Sequence, residues 1–323
     1  MEIILTVSSP PHIYGTDTIK KRMRDVLIAL TPACVAGIFH YGNTAFTVIA
    51  VSILSALGSE YLYQKLMRKT VTVNDFSAAI TGLLLAFNLP PEAPIWLPAV
   101  GSAFAIIAVK QLFGGLGSNF INPALAARAF LLASFPVPMT RWTLPDAVSG
   151  ATSDTVSGAT YLALIKSNPL FVPEFQDYMA LLFGKIGGCI GETSAAALII
   201  GGLYLIARRV INWRIPVFYI GSFALFSFIF GRTGFFTGNV LFEALNGGLL
   251  LGAFFMATDY ATSPITPRGK VIMGLGCGFL TVMIRFYGGY PEGVSYSILI
   301  MNLFVPLIDK YLRPRVYGKG RKK

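Results

Sequence analysis

Charged residues are scarce in this sequence: Asp, Glu, Lys and Arg make up 13% of its 323 residues, against roughly a quarter in an ordinary soluble domain. Hydrophobic residues make up 54%, and the mean hydropathy is +0.65. Apolar runs extend along the whole chain, and one long polar stretch interrupts them near the middle. This composition excludes a soluble enzyme and predicts an all-α integral membrane protein.

Cysteine is rare as well, and Cys34, Cys189 and Cys277 are far apart in the sequence. None has a partner at metal-ligand spacing, no group of cysteines could hold an iron-sulfur cluster, and the Gly-x-Gly-x-x-Gly pattern of dinucleotide sites is missing. We therefore predict that the cysteines are small core residues. The chain is expected to have no metal site and no complete active site for a dinucleotide.

Acidic residues number 15 against 26 Lys and Arg, which gives a net charge of +11. Basic residues cluster just before the first apolar run and in the tail after the last one. Because cytoplasmic segments of membrane proteins carry an excess of Lys and Arg, we predict that both termini are cytoplasmic and that anionic lipid, not nucleic acid, is the partner. Residues 1–25 lack the apolar region and cleavage site of a signal peptide, so the first helix is expected to be an uncleaved insertion signal.

The apolar runs predict about ten transmembrane helices, because a span needs about 17 to 25 mainly apolar residues. The uncharged stretch 26–59 is long enough for two spans, divided at the turn-forming residues 40–43. Several other runs are short, so they must include flanking polar residues or form discontinuous helices buried among neighbours. With ten spans, most basic residues, including Lys110, lie on the cytoplasmic face, and few, such as Arg285, lie outside. The further runs are 76–89, 96–109, 123–135, 186–207, 215–230, 240–257, 271–284 and 294–307.

Two pieces of sequence in the first half recur in the second. Gly-Leu-Leu-Leu occurs at 82–85 and at 248–251, and a basic residue followed by Gly-Gly ends the fourth run at 110–115 and the ninth at 285–289. Because each half has an odd number of spans, the second would enter the membrane from the opposite side, as in inverted repeats of transporters. The alternative is chance, since both patterns are common in membrane proteins. The repeat divides the chain into a cytoplasmic segment (1–25), a five-helix repeat (26–136), an extracytoplasmic loop (137–177), a second five-helix repeat (178–309) and a basic cytoplasmic tail (310–323).

The loop 137–177 is longer than the roughly 12 to 15 residues beyond which loops are usually functional or disordered. It contains Asp-x-x-Ser-Gly-Ala-Thr twice, at 146–152 and at 154–160. Gly and Ala leave the following Thr hydroxyl unshielded on a pliant backbone, as a modifying enzyme requires, and neither Thr has a neighbouring base that would make it a nucleophile. The alternative is a Ser/Gly/Ala-rich turn without chemistry. The second copy comprises Asp154, Ser157, Gly158, Ala159 and Thr160, and the first copy ends in Thr152.

The chain resembles the family that contains the RnfD subunit of the Rnf complex, an ion-translocating ferredoxin:NAD oxidoreductase, and the homologous membrane subunit of the sodium-translocating NADH:quinone oxidoreductase. The resemblance extends over nearly the whole chain and includes ITGLLLAFNLPP, GGLGSNFINPALAARAFLLASFP, GGCIGETSAAALIIGG, ATDYATSPITPRGK and YGGYPEGVSYSILIMN. It implies a membrane electron-transfer subunit of a larger ion-pumping assembly in the cytoplasmic membrane of a bacterium or archaeon.

The resemblance also implies covalent FMN, which a flavin transferase attaches through a phosphoester to the last Thr of the loop motif. YLALIK after Thr160 is similar to the family's usual continuation, whereas Thr152 is followed by Ser-Asp. Thr160 is therefore the expected attachment site and Thr152 the alternative.

A second, non-covalent flavin such as riboflavin is implied by residues that match the family's inner flavin site, namely Thr81, Asn119, Asn122 and Asp259. The alternative for the Asn-Pro segment at 122–123 is a helix cap without a ligand. The other charges within predicted spans, Arg128, Glu192 and Glu243, could pair with one another or lie on an ion path.

The partners implied by the resemblance are the ferredoxin-, NAD- and iron-sulfur-carrying subunits, a second FMN subunit, and the translocated Na⁺ or H⁺. The rival interpretation is a secondary transporter that binds a solute at the interface of the repeats and has an inert loop, because fold alone does not separate these functions. Covalent flavin would distinguish the two interpretations.

The predicted orientation can be tested in the loop. A cysteine introduced as Ser153→Cys is expected to react with a membrane-impermeant thiol reagent in intact cells whose outer membrane has been removed, because most basic residues lie on the opposite face. The unsubstituted protein is the control. Labelling that requires cell lysis would contradict the topology and, with it, the inverted repeat.

Overall fold

The computed structural model describes residues 18–142, 160–168, 171–184, 186–232 and 234–312. Within these ranges the protein contains helices and no strand, which confirms the all-α prediction. One large apolar core connects the two halves of the sequence. The α-helices are α1 (Ile19–Leu66), α2 (Ser77–Phe87), α3 (Trp96–Phe104), α4 (Pro123–Ser134), α5 (Pro136–Met139), α6 (Tyr161–Ser167), α7 (Phe175–Phe183), α8 (Ala195–Ala207), α9 (Arg214–Ile229), α10 (Val240–Leu245), α11 (Leu249–Leu251), α12 (Pro267–Tyr287) and α13 (Val294–Tyr311).

Helix α1 contains both of the spans that the sequence predicts in 26–59. Its 48 residues correspond to about 72 Å of helix at 1.5 Å per residue, more than twice the roughly 30 Å of a bilayer core. The helix is interrupted at Gly42, whose φ of 62° and ψ of −140° are not helical. Glycine tolerates this conformation because it has no Cβ. The predicted division at 40–43 therefore coincides with a kink.

The helices lie close to the predicted spans except at the sixth and eighth. The sixth is predicted to begin at 186, but helix α8 begins only at Ala195, after an irregular segment that contains a short 3₁₀ turn at Ile190–Glu192. The eighth is divided into α10, α11 and a π-helical turn at Gly252–Met256, with Gly247 at φ 72° in the break. The eighth run is thus a discontinuous helix, one of the two possibilities left open for short runs.

The irregular segment before α8 is buried against the end of α2. The Ile190 amide donates to the Leu89 carbonyl over 3.1 Å, and a Cβ on Gly191 would lie 2.4 Å from Cβ of Phe87. Non-helical backbone at membrane depth is tolerated where it is buried in protein. The predicted helical start at 186 was wrong because this backbone obtains partners from a neighbouring element rather than from its own helix.

Helices from the two halves also pack directly on each other. Helix α1 contacts α8, and α4 contacts α13. At the first contact the approach is close, since a Cβ on Gly201 would lie 2.1 Å from the carbonyl oxygen of Ala29. Small residues permit such backbone approach between membrane helices.

The predicted segment boundaries do not coincide with the ends of helices. Helix α1 begins at Ile19 rather than 26, α7 extends across 177–178, and α13 continues past 309. The predicted loop 137–177 also contains α6 and most of α5, so part of it is folded.

The outer surface of the bundle is apolar. By length and composition two described helices, α1 and α12, can each cross a bilayer, and five shorter helical stretches are also apolar. Large apolar side chains such as Leu54, Ile200 and Leu225 are more than half exposed. A surface of this kind suits contact with lipid tails rather than with water.

Two cations that the sequence places at the ends of spans are instead buried in the protein. The Lys110 Nζ donates to Glu60 Oε1 at 2.7 Å and to Ser77 Oγ at 2.6 Å, and its side chain is 3% exposed. Arg285 is fully buried and donates to the Glu243 carbonyl at 2.6 Å. Both side chains are buried because each neutralises a buried carboxylate, Glu60 near the end of α1 and Glu243 at the start of a neighbouring helix.

Removing one partner of the Lys110–Glu60 pair is expected to destabilise the first half strongly. Lys110→Met leaves the buried Glu60 carboxylate without its cation, which costs about 3–5 kcal/mol of stability. The double variant Glu60→Gln/Lys110→Met should recover much of this loss because no charge remains uncompensated. Thermal unfolding of the purified protein in detergent measures both, with the exposed Lys65→Met as the control. A Lys110→Met protein as stable as that control would contradict the assigned role.

Candidate functional site

The structure brings Thr81, Asn119, Asn122 and Asp259 together in one cavity. The cavity lies beside the start of α1 and is lined by α2, the start of α4 and the segment after the π-helical turn of the eighth span. Its empty space, counted with its open mouth, is about 770 Å³. The convergence expected from the resemblance is therefore present in the fold.

Each of these four residues has a partner within the protein. Thr81 Oγ1 donates to the Ser77 carbonyl at 3.0 Å, and Asn119 Nδ2 donates to the Ile121 carbonyl at 3.2 Å. Asp259 Oδ2 accepts from the Thr262 hydroxyl at 3.1 Å. These short-range bonds fix the side chains at the wall and leave further donor and acceptor capacity for a ligand.

Asn122 has a clear structural role. Its Oδ1 accepts from the amides of Ala124 and Leu125 at 3.0 and 3.3 Å, so it caps α4, and its Nδ2 donates to the Met256 carbonyl at 3.2 Å. The helix-cap alternative is confirmed for this residue. The bond to Met256 also connects the two halves at the cavity.

Lys110 is the cavity residue that sequence reasoning missed. Its buried ammonium lines the same space as Asp259, which places a positive and a negative group at the wall. The remaining wall is largely apolar and includes Ile80, Leu84 and Phe254. The sequence signal was the repeated basic residue before Gly-Gly, which by itself indicates a repeat and not a site. An apolar slot with a few fixed polar groups can hold a flat, partly polar ring.

Thr160 is the one motif residue with a described position. It caps α6, with its Oγ1 accepting from the Ala163 amide at 3.3 Å, and it is buried. Thr152, Asp154, Ser157, Gly158 and Ala159 lie outside the described residues. The structure therefore describes only the last residue of the motif.

Helix α6 is anchored by its neighbours outside the spans. The Tyr161 hydroxyl donates to Asp177 Oδ1 at 2.7 Å, and burial together with this carboxylate raises the pKa of Tyr161 to about 12. Lys166 Nζ donates to the Gly288 carbonyl, just after the end of α12. The segment that contains Asp259 precedes α12 in the sequence, whereas Lys166 contacts the residue that follows α12.

Arg128, Glu192 and Glu243 are all buried, whereas Asp259 is half-buried. Arg128 pairs with Glu292, and Glu243 pairs with Arg232 at 2.6 Å and with Arg285 at 3.4 Å. Cys189 and Cys277 are core residues as predicted, whereas Cys34 is only half-buried. Cys189 lies near two carboxylates in space, although no sequence spacing indicated it.

Comparison with known proteins shows the family to which the chain belongs. A model of the NQR2, RnfD, RnfE family matches residues 6–318. The D component of the Na⁺-translocating ferredoxin:NAD⁺ oxidoreductase complex of Acetobacterium woodii is 50% identical over 98% of this chain and 96% of its own length. The D component of the proton-translocating ferredoxin:NAD⁺ oxidoreductase complex of Clostridium ljungdahlii is 45% identical over 98% and 97%. The D component of an ion-translocating oxidoreductase complex from Halorhodospira halophila is 37% identical over 96% and 95%. The chain is thus a membrane protein that belongs to the NQR2, RnfD, RnfE family.

Proposed function

We propose that this chain is the membrane electron-transfer subunit of an ion-translocating ferredoxin:NAD⁺ oxidoreductase complex. The observation that carries the proposal is identity of 50% over nearly the full length of a protein named as part of that complex. The sequence has no cysteine cluster for iron-sulfur and no dinucleotide fingerprint. Ferredoxin oxidation and NAD⁺ reduction therefore belong to other subunits, and this chain carries electrons between them.

The proposed arrangement has ten spans in two inverted halves, in the cytoplasmic membrane, with both termini cytoplasmic. Three features support it: the recurring sequence pieces, the contacts of α1 with α8 and of α4 with α13, and the two buried cations at matching positions. Lys110 reaches Ser77 at the start of α2, and Arg285 reaches Glu243 in α10, the first part of the eighth span. Equivalent contacts in the two halves are what a duplicated fold produces.

The first cofactor of the proposal is FMN bound through a phosphoester to Thr160. The attachment requires only the Thr oxygen and leaves the ring, which supplies the electron-transfer chemistry, unchanged. Thr160 ends the motif and begins α6, which contacts Asp177 and Gly288. A rigid helix at this place would hold the attached group at the far end of α12 from the cavity.

Covalent flavin is expected to be lost in Thr160→Ala and kept in the matched control Thr152→Ala. Loss of the cap costs about 1 kcal/mol, so the Thr160→Ala protein should still fold. The measurements are flavin fluorescence of the chain after denaturing electrophoresis and mass spectrometry of the loop peptide. An FMN adduct on Thr152 in the wild type would show that the first copy of the motif is the attachment site. Wild type without any covalent flavin would favour the secondary transporter, for which the interrupted eighth span beside a cavity is the supporting feature.

The second cofactor of the proposal is a non-covalent flavin such as riboflavin in the cavity. The cavity offers an apolar slot, amide groups of Asn119 and Asn122, and the opposite charges of Lys110 and Asp259. These groups suit the polar edge of a flavin, while Ile80, Leu84 and Phe254 suit its ring face. The buried Lys110 ammonium uses two of its three donors on Glu60 and Ser77, so one would remain for the polar edge of a ring.

The cavity flavin is tested in Thr160→Ala protein, where the covalent site is empty. Acid should release about one flavin per chain, and chromatography identifies it. Adding Thr81→Val or Asn119→Ala should lower the yield severalfold, because each removes a polar group from the wall, whereas the exposed Thr140→Val should not. Asn122 is unsuitable for this purpose because it caps α4. If folded protein releases no flavin, the cavity residues have a structural role and do not bind the cofactor.

A further inference from the structure

A cationic pocket lies where the start of α1 meets the end of α8, and it shares no lining residue with the cavity that contains Asp259. Asp25 of α1 accepts from Arg208 Nη2 at 3.4 Å, and one turn further along α1 the Ala29 carbonyl lies against Gly201. The two helices therefore run antiparallel here and leave the pocket in the same direction. The lining residues are Lys21, Arg22, Asp25, Arg208, Arg209 and Val210.

Hydrogen bonds from a third part of the chain hold the wall of this pocket in place. Tyr260, in the segment before α12, donates its hydroxyl to the Val210 carbonyl and accepts from Arg22 Nη1 at 3.4 Å. The Arg22 guanidinium also lies over the Tyr260 ring, 5.6 Å from its centre. The start of α1, the end of α8 and the segment before α12 therefore hold one another, so the fold itself determines the shape of the pocket.

Positive charge exceeds negative charge among the lining side chains. Four of them are cations, and Asp25 is the single carboxylate. Asp25 is buried beside Arg208, whose side chain remains 48% exposed, and Arg209 is exposed as well. One carboxylate neutralises one cation, and Arg22 is already engaged by Tyr260. The two arginines at the end of α8 are thus the cations that an anion entering the pocket would contact first.

Exposed apolar side chains continue from the pocket along both helices. On α8, Ile200, Leu203 and Ala207 are exposed, and their helical spacing places them on one face. On α1, Ile28 and Val35 are exposed and also share one face. Because both helices leave the pocket in the same direction, the two stripes extend away from it across the outer surface of the bundle. A cationic pocket at the end of an apolar surface matches a phospholipid, in which an anionic headgroup is joined to apolar acyl chains.

We propose that this pocket binds the phosphodiester headgroup of an anionic membrane lipid such as phosphatidylglycerol, with the acyl chains along the two stripes. Basic pockets between membrane helices suit such headgroups on the cytoplasmic side. A soluble anion would use the cations but not the stripes, so the apolar surface favours the lipid. The inference goes beyond the proposed function and rests on it only for the side of the membrane. A bound headgroup would connect α1 of the first half to α8 of the second.

The test is a titration of the purified full chain in detergent with phosphatidylglycerol, in which native mass spectrometry counts the bound lipid. Wild type should bind one phosphatidylglycerol per chain roughly tenfold more tightly than zwitterionic phosphatidylcholine. Arg208→Gln/Arg209→Gln should remove most of this preference, because each Lys or Arg near an anionic headgroup strengthens binding about fivefold. Phosphatidylglycerol should also raise the melting temperature of wild type and not of this variant, since a ligand of the folded state stabilises that state.

Two further variants show whether the effect is electrostatic and local. Arg68→Gln is the matched control, because Arg68 is exposed, follows the end of α1 and has a φ of 53°, close to the 56° of Arg209. It removes the same charge from the same backbone conformation outside the pocket, so it should bind the lipid as wild type does. Asp25→Asn removes the carboxylate from the pocket and should bind phosphatidylglycerol severalfold more tightly, a change that damage to the pocket would not produce.

Equal binding of the two lipids, or binding that Arg208→Gln/Arg209→Gln leaves unchanged, would overturn the proposal. Displacement of the lipid by inorganic phosphate at the same concentration would also overturn it and identify a site for a soluble anion. If wild type binds no phosphatidylglycerol, the proposal fails and the cations are left for an acidic segment of another subunit. Each variant must elute as a single folded species, and Arg209→Gln decides if the double variant does not fold. The assay needs no flavin, and Thr160→Ala protein should bind the lipid as wild type does, so failure of this proposal and failure of the proposed function are distinguishable.

Discussion

The constraint on which this structure depends is that backbone amides and carbonyls have no water to bind inside a bilayer. Three segments buried in the protein are nevertheless irregular: the end of α2, the approach to α8 and the break in the eighth span. They are placed against each other and against buried side chains, so Ile190 donates to the Leu89 carbonyl and Arg285 donates to the Asn246 carbonyl. The protein can hold polar groups at its centre because the irregular segments there supply hydrogen-bond partners to one another.

Buried cations donate several of these hydrogen bonds. Lys110 and Arg285 each occupy a matching position in one half, and each contacts a carboxylate and the start of a broken or short helix. Removing such charges from water costs free energy. Ion pairs and hydrogen bonds compensate that cost only when the partners are close and well oriented. The same groups therefore stabilise the fold and set the charge at its polar sites, since Lys110 also lines the cavity that contains Asp259.

The polar groups lie at three places in the bundle. The cavity lies beside the beginning of α1, Thr160 lies near the far end of α12, and the cluster of Cys189, Glu192 and Glu292 lies at the interface of the halves. The groups at these sites come from both halves of the sequence and lie within one set of packed helices.

The sequence by itself determined the membrane class, the family resemblance and most helix positions, because apolar run length and composition depend on the lipid solvent and not on neighbouring elements. It also identified Thr81, Asn119, Asn122 and Asp259, which the structure brings to one cavity. Only the tertiary structure decided that α8 begins at Ala195 and that Lys110 and Arg285 are buried. It alone brought Cys189, Glu192 and Glu292 together. These features escape sequence reasoning because a buried charge or an irregular segment is stable only through partners that lie far away in the chain.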